Sequence, residues 1–352
     1  MSNPGGIDFS CPIPIVEHST VQLAHGGGGR LMRNLIEGLF RPAFAGDGPH
    51  LPAHDSAVVE IAGGRLAMTT DTFVVRPLFF PGGDIGKLAV YGTVNDLAMS
   101  GARPLYLSAA FVLEEGLPME TLRRVVESMA AASREVGVRI ITGDTKVVDR
   151  GHGDGIFINT AGVGRVMPGL DVAPQRVVPG DAVIVSGDLG RHGMAVMSVR
   201  EGLGFESELQ SDCASLAGLV EALAVLGHDL HCLRDLTRGG LAAALNEIAI
   251  DVAVGIEIRQ AAIPVSEPVS AACEVLGLDP LYVANEGRLV AFVAEQAAEK
   301  ALEIFLRHPA AHCPAIIGHV GEIHPRMVEV LSPLGGRRLL DLLSGEQMPR
   351  IC

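Results

Sequence analysis

Tryptophan is missing altogether from this 352-residue chain, tyrosine occurs three times, and aromatic residues make up only 4% of the sequence. An interior so poor in large rings must be built from Ala, Val, Leu and Ile, with 43 glycines supplying turns and close backbone approaches. Positive charge is scarce too: 27 Lys and Arg stand against 41 Asp and Glu, a formal net charge of -14. That balance argues against a nucleic-acid partner, whose phosphates are gripped by cations, and it leaves carboxylates to spare for a divalent metal. Every apolar run is broken by Gly or a charge well before membrane-spanning length, and the N-terminus has no basic leader followed by an apolar core. No membrane partner is expected, and cytoplasm is the default location. The six cysteines (Cys11, Cys213, Cys232, Cys273, Cys313 and Cys352) form no Cys-x-x-Cys pair and no disulfide framework, which suits a reducing compartment. His228, His231 and Cys232 could share a helix face and ligate a metal, or simply pack.

What is there reads as a mixed α and β enzyme of two domains, since the length exceeds what one hydrophobic core normally supports. The expected division is a lead and glycine-rich loop over residues 1–40, an α/β domain over 41–166, an α+β domain over 167–335 and a tail over 336–352. "RLMRNLIEGLF" has the spacing of a short amphipathic helix, and "SAVVEIAGGRLAMTTDTFVV" that of a hairpin turning at Gly63 and Gly64. "IGKLAVYGTVNDLAMSGA" predicts a helix stopped by Gly101, "YLSAAFVL" a strand, and "MAAASREVG" the end of another helix. "VRIITGDTKVV" is expected to lead into a polar loop, and "IFINTAGVGRV" to return as a strand. After a Pro- and Gly-rich seam near 167–180 come the strand "DAVIVSG", helices around Ser211–Gly227 and Leu241–Ile250, and the late strands "RLVAFVAE", "AIIGHVGEI" and "MVEVLSP".

Several stretches could carry chemistry. "AHGGGGR" places Gly26, Gly27, Gly28 and Gly29 directly before a helix, where bare backbone N–H groups can hold phosphate oxygens, or where a surface turn simply needs freedom. Neither this run nor "GGDIGKL" has Walker spacing, the latter carrying Leu88 where a hydroxyl belongs, and no dinucleotide fingerprint is present. Asp55, Asp71, Asp96 and Asp144 each fall at the edge of an apolar element, in "HDSAVV", "TTDTFVV", "VNDLAMSGARP" and "TGDTKVV". Each alone could be a turn or cap former. Four in equivalent settings, one with Lys146 two residues on, favour carboxylates gathered around Mg²⁺. "RDLTRGGL" adds Asp235, Thr237 as a possible cap, and Gly239 with Gly240 opening a helix. Arg191 and His192 lie in the Gly-rich turn "SGDLGRHGMAV", where a lone His is more often structural than catalytic. Glu286, in "YVANEGRLV", is either a buried base or a solvated turn carboxylate. Finally, "EQMPRIC" puts a thiol on the last residue of the sequence, so Cys352 is either incidental or meant to travel. From Ser344 onward the tail can stretch on the order of 25 to 30 Å, with Gly335, Gly336 and Gly345 as hinges and Pro349 stiffening its end.

The order of these motifs, "AHGGGGR", "HDSAVV", "TTDTFVV", "GTVNDLAMSGARP", "GDTKVV", "RDLTRGGL", "NEGRL" and terminal "PRIC", resembles the hydrogenase-maturation HypE family. That family is a branch of the ATP-binding superfamily that includes aminoimidazole ribonucleotide synthetase and selenophosphate synthetase. The resemblance runs from about residue 18 to Cys352. It implies a two-domain aminoimidazole-ribonucleotide-synthetase-like fold, α/β followed by α+β, whose N-terminal sheet pairs with that of a second subunit into a β-barrel, hence a homodimer. It also implies a reaction: a carbamoyltransferase, HypF, loads a carbamoyl group onto Cys352, and ATP drives dehydration of that S-carboxamide to a thiocyanate. The cyano group then passes to an iron held by a HypC–HypD complex, as a ligand of the [NiFe]-hydrogenase centre. Carried over by position, Asp55, Asp96 and Asp235 would hold Mg²⁺ with Asp71 and Asp144 beside them, Asn95 and Lys146 would orient phosphate, Gly26–Gly29 and Gly239 would line the nucleotide, and Glu286 would be the base. Two rivals are a phosphoryl-transfer enzyme with a diffusible substrate, for which a terminal Cys has no use, and an ATP-gated metal carrier, for which the tail offers only Met348 as a further soft ligand.

Overall fold

The structure, a computed structural model, describes residues 20–44, 53–202, 209–322, 324–345, 348 and 350–352. The lead before Thr20, with Cys11, and the tail's Pro349 lie outside the described residues.

The predicted first helix is split into α1 (Arg30–Leu35), a π turn over Ile36–Phe40 and α2 (Arg41–Phe44). The predicted hairpin forms as β1 (Ala57–Ile61) and β2 (Gly64–Phe73), with Gly63 at φ +89° in the turn. A small hairpin, β3 (Phe79–Phe80) and β4 (Gly83–Asp84), leads into α3 (Ile85–Met99). Here "GGDIGKL" proves to be a helix start: Asp84 accepts hydrogen bonds from the Gly86 and Lys87 N–H groups at 2.8 and 3.0 Å. Then come β5 (Ala102–Glu114), α4 (Met119–Glu135), β6 (Arg139–Val148) and β7 (Ile156–Val166). "VRIITGDTKVV" forms a strand, its β-branched residues pairing in parallel with β5, and it leads as expected into a polar loop over 149–155. The sheet order is β1-β2-β7-β5-β6. β7 alternates strictly, burying Ile156, Ile158, Thr160, Gly162, Gly164 and Val166 on one face. Against the sheet packs α3, with 13 of its 15 residues buried, an apolar-all-round helix at the centre of the molecule.

The second half holds β8 (Ala182–Val185), α5 (Arg191–Arg200), α6 (Ala217–Leu223), β9 (Leu230–Asp235), α7 (Gly240–Val252), β10 (Gly255–Arg259), α8 (Glu267–Leu276), β11 (Leu289–Val293), α9 (Ala298–Arg307), β12 (Ala315–Gly321), β13 (Met327–Leu331) and β14 (Arg337–Leu340). Seven strands form one sheet in the order β14-β13-β10-β12-β8-β11-β9, antiparallel throughout except for β10 with β13. Three expectations change. The Gly-rich turn at Arg191 is the start of α5, entered through Gly190 at φ +86°. The helix expected from Ser211 begins only at Ala217; residues 211–216 form no regular element, and Asn95 of α3 holds Ala214 and Leu216 by their backbone. His228, His231 and Cys232 do not share a helix face: His231 and Cys232 are consecutive on β9 and therefore point to opposite sides of the sheet. His231 is engaged by Asp181 at 2.8 Å, and among the described residues no three His, Cys, Asp or Glu side chains converge to hold a metal.

Asn95 joins the two halves. Its amide donates to the Ala214 carbonyl at 3.0 Å and its oxygen accepts from the Leu216 N–H at 2.7 Å, in a setting that leaves the residue 2% exposed. The side chain expected to orient phosphate is instead committed to this joint. Asn95→Ala should lower the unfolding free energy by about 2–4 kcal/mol, since it strands two buried backbone groups. Urea titration followed by far-UV circular dichroism checks this; a loss below about 0.5 kcal/mol would contradict it.

Candidate active site

Four of the singled-out carboxylates come together. Asp55 just ahead of β1, Asp71 on β2, Asp96 in the last turn of α3 and Asp235 at the end of β9 line one cavity of about 530 Å³, within the usual range for a small-molecule site. Asp96 is therefore on a helix, not at a strand edge. The Thr69 hydroxyl lies 2.7 Å from Asp96 Oδ2 and 3.0 Å from the Asp55 carbonyl oxygen. Burial, then repulsion from Asp235, Asp71 and Asp55, pushes Asp96 well above the usual carboxylate range. Burial and Asp55 do the same to Asp235. Burial raises Asp71 against the opposing field of Arg238. Asp55 escapes: burial pushes it up, but Arg234, whose Nε is 2.8 Å from Asp55 Oδ1, and His54 hold it below its ordinary value.

Carboxylates forced together in this way are stabilised as anions by a divalent cation. Among the described residues no three of them converge on one point; Mg²⁺ that arrives with phosphate oxygens takes only one or two carboxylates from the protein and does not require three. Asp96 and Asp235 fit that part, being the pair whose ionisation the cluster most opposes.

The glycine-rich loop closes one side. Gly28 and Gly29 line the acidic cavity, while Gly26 and Gly27 line a smaller one of about 170 Å³ next to it. Gly28, at φ +74°, lies so close to the Arg238 carbonyl that a Cβ would approach it to 2.7 Å, and Gly239, at φ +77°, caps α7 against Gly28. The two loops interlock, and Gly239 rather than Thr237 forms the cap. The helix behind the loop has only six residues before it passes into the π turn, so it offers no long helix dipole.

Glu286 is 3% exposed, and its Oε1 has no hydrogen-bond partner among the described residues. Its loop is wired from below: the Glu286 and Gly287 N–H groups donate to Asp212 Oδ2 at 3.2 and 3.0 Å, and Arg288 holds the Gly287 carbonyl at 2.9 Å. Burial, then Asp235, Asp71 and Asp212, drives the Glu286 carboxyl well above its usual range.

The tail lies inward. Cys352 is 7% exposed in the smaller cavity, its carbonyl accepting from the Val74 N–H at 2.9 Å and its Sγ 3.8 Å from Arg238 Nη1. Burial pushes the thiol up to about 12, with Glu286 and Asp71 adding to the effect and Arg238 opposing it. Arg238 escaped the reading of the sequence, yet it lines both cavities and stands 3.9 Å from Asp71 Oδ1. The sulfur of Cys352, then Asp71 and Glu286, favours its charged form. The only hint in the sequence is that it directly precedes Gly239. Asp144 and Lys146 are not brought to this site within one chain. They pair with each other at 3.0 Å in the middle of exposed β6, three strands from β2, a separation of about 14 Å at ordinary strand spacing.

Two family models match in tandem: "AIR synthase related protein, N-terminal domain" over residues 53–166 and "AIR synthase related protein, C-terminal domain" over 178–326. The carbamoyl dehydratase HypE of Azotobacter vinelandii is 53% identical over 337 residues, covering 96% of this chain and 98% of that protein. That of Escherichia coli (strain K12) is 48% identical over 340 residues, covering 95% and 100%. Among solved structures, a HypE–HypF complex superposes with a TM-score of 0.83 at 48% identity, over 88% of this chain and 99% of that one. HypE in complex with ATP gives 0.79 at 49% identity, over 95% and 100%. Thiamine monophosphate kinase from Aquifex aeolicus, at 18% identity and a TM-score of 0.64 over 88% and 99%, shares the fold alone. An acidic nucleotide-sized cavity, a buried carboxylate and an inward cysteine on this two-domain frame agree with those matches, and the chain belongs to the HypE family of ATP-dependent carbamoyl dehydratases, within the AIR synthase-related superfamily.

Proposed function

We propose that this chain dehydrates an S-carboxamide carried on its own Cys352 to a thiocyanate, for delivery as a cyanide ligand to the iron of a [NiFe]-hydrogenase centre. The observation that carries this reading is the inward thiol: Cys352 lines the smaller cavity with its sulfur against Arg238, and Arg238 also lines the acidic cavity. A cysteine that served only as a surface tether would not be buried there.

The residues divide the work as follows. The triphosphate of ATP occupies the acidic cavity, where Asp96 and Asp235, with Asp55 and Asp71 beside them, would hold the Mg²⁺ that offsets its charge. Arg238 faces both the phosphate side and the sulfur, and so orients the carboxamide oxygen toward the γ-phosphorus. Phosphorylation of that oxygen, with ADP leaving, converts a poor leaving group into phosphate. Glu286 accepts one proton from the nitrogen and the departing phosphate carries off the other; with both gone and the C–O bond broken, S–C≡N and inorganic phosphate remain. Because burial keeps the inward thiol protonated, loading belongs to an outward position, where a carbamoyltransferase such as HypF meets an ordinary thiolate, and a HypC–HypD complex would collect the cyano group there. We further propose a homodimer whose N-terminal sheets pair: β6 presents Ile140, Ile141 and Val147 to solvent at an open edge, and pairing would cover Asp144 and Lys146 as well and place them beside nucleotide.

Asp96→Asn is expected to abolish ATP-dependent loss of water while Cys352 still accepts the carbamoyl group, because the metal serves phosphoryl transfer and not loading. Intact-mass spectrometry after incubation with the carbamoyltransferase, carbamoyl phosphate and ATP reads both steps. Full dehydration by the variant would remove Asp96 from the metal site.

Glu286 works as a base only when ionised, and its folded pKa is raised, so single-turnover dehydration should rise with pH through that pKa and level off above it. Glu286→Gln should cost at least about a hundredfold and flatten the profile. An unchanged rate, or a variant that keeps the rise, would exclude Glu286 as the base.

A further inference from the structure

We propose that His192 is the positioning residue that latches the docked tail and ties it to the loop bearing Glu286. The inference rests on the reading of Cys352 given above and adds a residue to it. His192 is the second residue of α5 and fully buried, with the Phe80 ring edge-on at 5.3 Å. Its Nε2 lies 2.8 Å from the Ile351 carbonyl oxygen, the group immediately before Cys352, and its Nδ1 lies 2.9 Å from Ser211 Oγ. A carbonyl oxygen only accepts, so Nε2 carries the proton and a neutral ring leaves Nδ1 to accept from the Ser211 hydroxyl. Burial, against the field of Asp212, lowers the imidazole's pKa and keeps it in that neutral form. Ser211 Oγ in turn accepts from the Cys213 N–H at 3.1 Å.

The same short segment reaches the base. Asp212, between Ser211 and Cys213, is the residue whose carboxylate takes the Glu286 and Gly287 N–H groups, and the Ala214 N–H donates to the Glu286 carbonyl at 3.4 Å. One continuous path therefore runs from the Ile351 carbonyl through His192, Ser211 and Asp212 to the Glu286 backbone. Tail seating and base placement are two ends of one hydrogen-bonded segment.

Other contacts seat the tail without reaching Glu286. The Arg76 N–H donates to the Arg350 carbonyl at 3.2 Å, Arg200 Nη2 donates to the same oxygen at 2.8 Å, and Arg350 pairs with Asp154. Met348 packs over Gly193, where a Cβ would stand 3.2 Å from its sulfur. These contacts lie ahead of Ile351; beyond them the Val74 N–H holds the Cys352 backbone oxygen, and His192 is the side chain that takes the carbonyl adjoining the reacting residue, so His192 and Val74 together set where the thiol points.

The test uses the full chain and two readouts. The first is alkylation of Cys352 by iodoacetamide, without ATP, followed by peptide mass spectrometry; the second is single-turnover dehydration of protein already loaded by the carbamoyltransferase. His192→Phe keeps the ring's shape and loses both polar contacts, so Cys352 should be alkylated about tenfold faster. Buried Cys232 and Cys273 should stay protected, which shows that the fold is intact. Dehydration should slow by a similar factor, while loading, which draws on the same outward thiol as alkylation, should be no slower than in the wild type. His192→Gln, whose amide can still donate to the Ile351 carbonyl, should recover part of both, and Ser211→Ala should show a smaller loss in the same direction. Wild-type alkylation of Cys352 in His192→Phe overturns the latch, and faster alkylation with unchanged dehydration overturns the positioning role. If the wild-type chain itself did not dehydrate its adduct, the function proposed above would fall, and the alkylation arm would still decide the latch.

Discussion

The arrangement depends on one guanidinium. Arg238 is the sole cation that lines both cavities, with Cys352 sulfur on one side and Asp71 on the other among the described residues. A cation set back from solvent needs anionic neighbours, and four crowded, partly buried carboxylates need cations. Arg238 and Arg234 supply part of that balance. The remainder of the negative charge explains why Asp96 and Asp235 are pushed so far upward, and why the cavity suits a nucleotide that arrives with its own Mg²⁺. The interlocked glycines make the placement of Arg238 possible: any side chain at Gly28 would collide with its backbone.

Burial has opposite uses on the two sides of Arg238. In the acidic cavity it makes carboxylates costly to ionise until a metal is bound. At Glu286 it raises the pKa toward the range in which a carboxylate is a useful base, and at Cys352 it suppresses the thiolate. On the proposed reading, a thiol held protonated inside is not the species that attacks a carbamoyl donor, so loading and dehydration on Cys352 would be kept apart by position.

Periodicity made much of the fold legible. The alternation of "IFINTAGVGRV" and the helical run "IGKLAVYGTVNDLAM" closed by Gly101 mark a strand and a helix, and both form. The candidate site was only partly legible, for reasons of direction in space. Asn95 and Asp96 are neighbours in sequence but about 100° apart around α3, so one joins the second half of the chain and the other faces the cavity. "TTDTFVV" and "TGDTKVV" look alike, yet their strands are three places apart in the sheet, which sends Asp144 and Lys146 to an exposed edge. Arg238 and His192 act through partners more than a hundred residues away, and no spacing rule announces such contacts. The inward tail likewise follows from backbone pairing with Val74 and Arg76, which no local pattern encodes.

The central claim is that the group transformed by ATP sits on Cys352. Its most direct test is mass analysis of the C-terminal peptide from protein loaded with one carbamoyl group and then given ATP and Mg²⁺. Loss of one water from that peptide alone, with one ADP released for each event, is the predicted result. ATP turnover without that loss, or the loss of water from a peptide carrying another cysteine, would contradict the account.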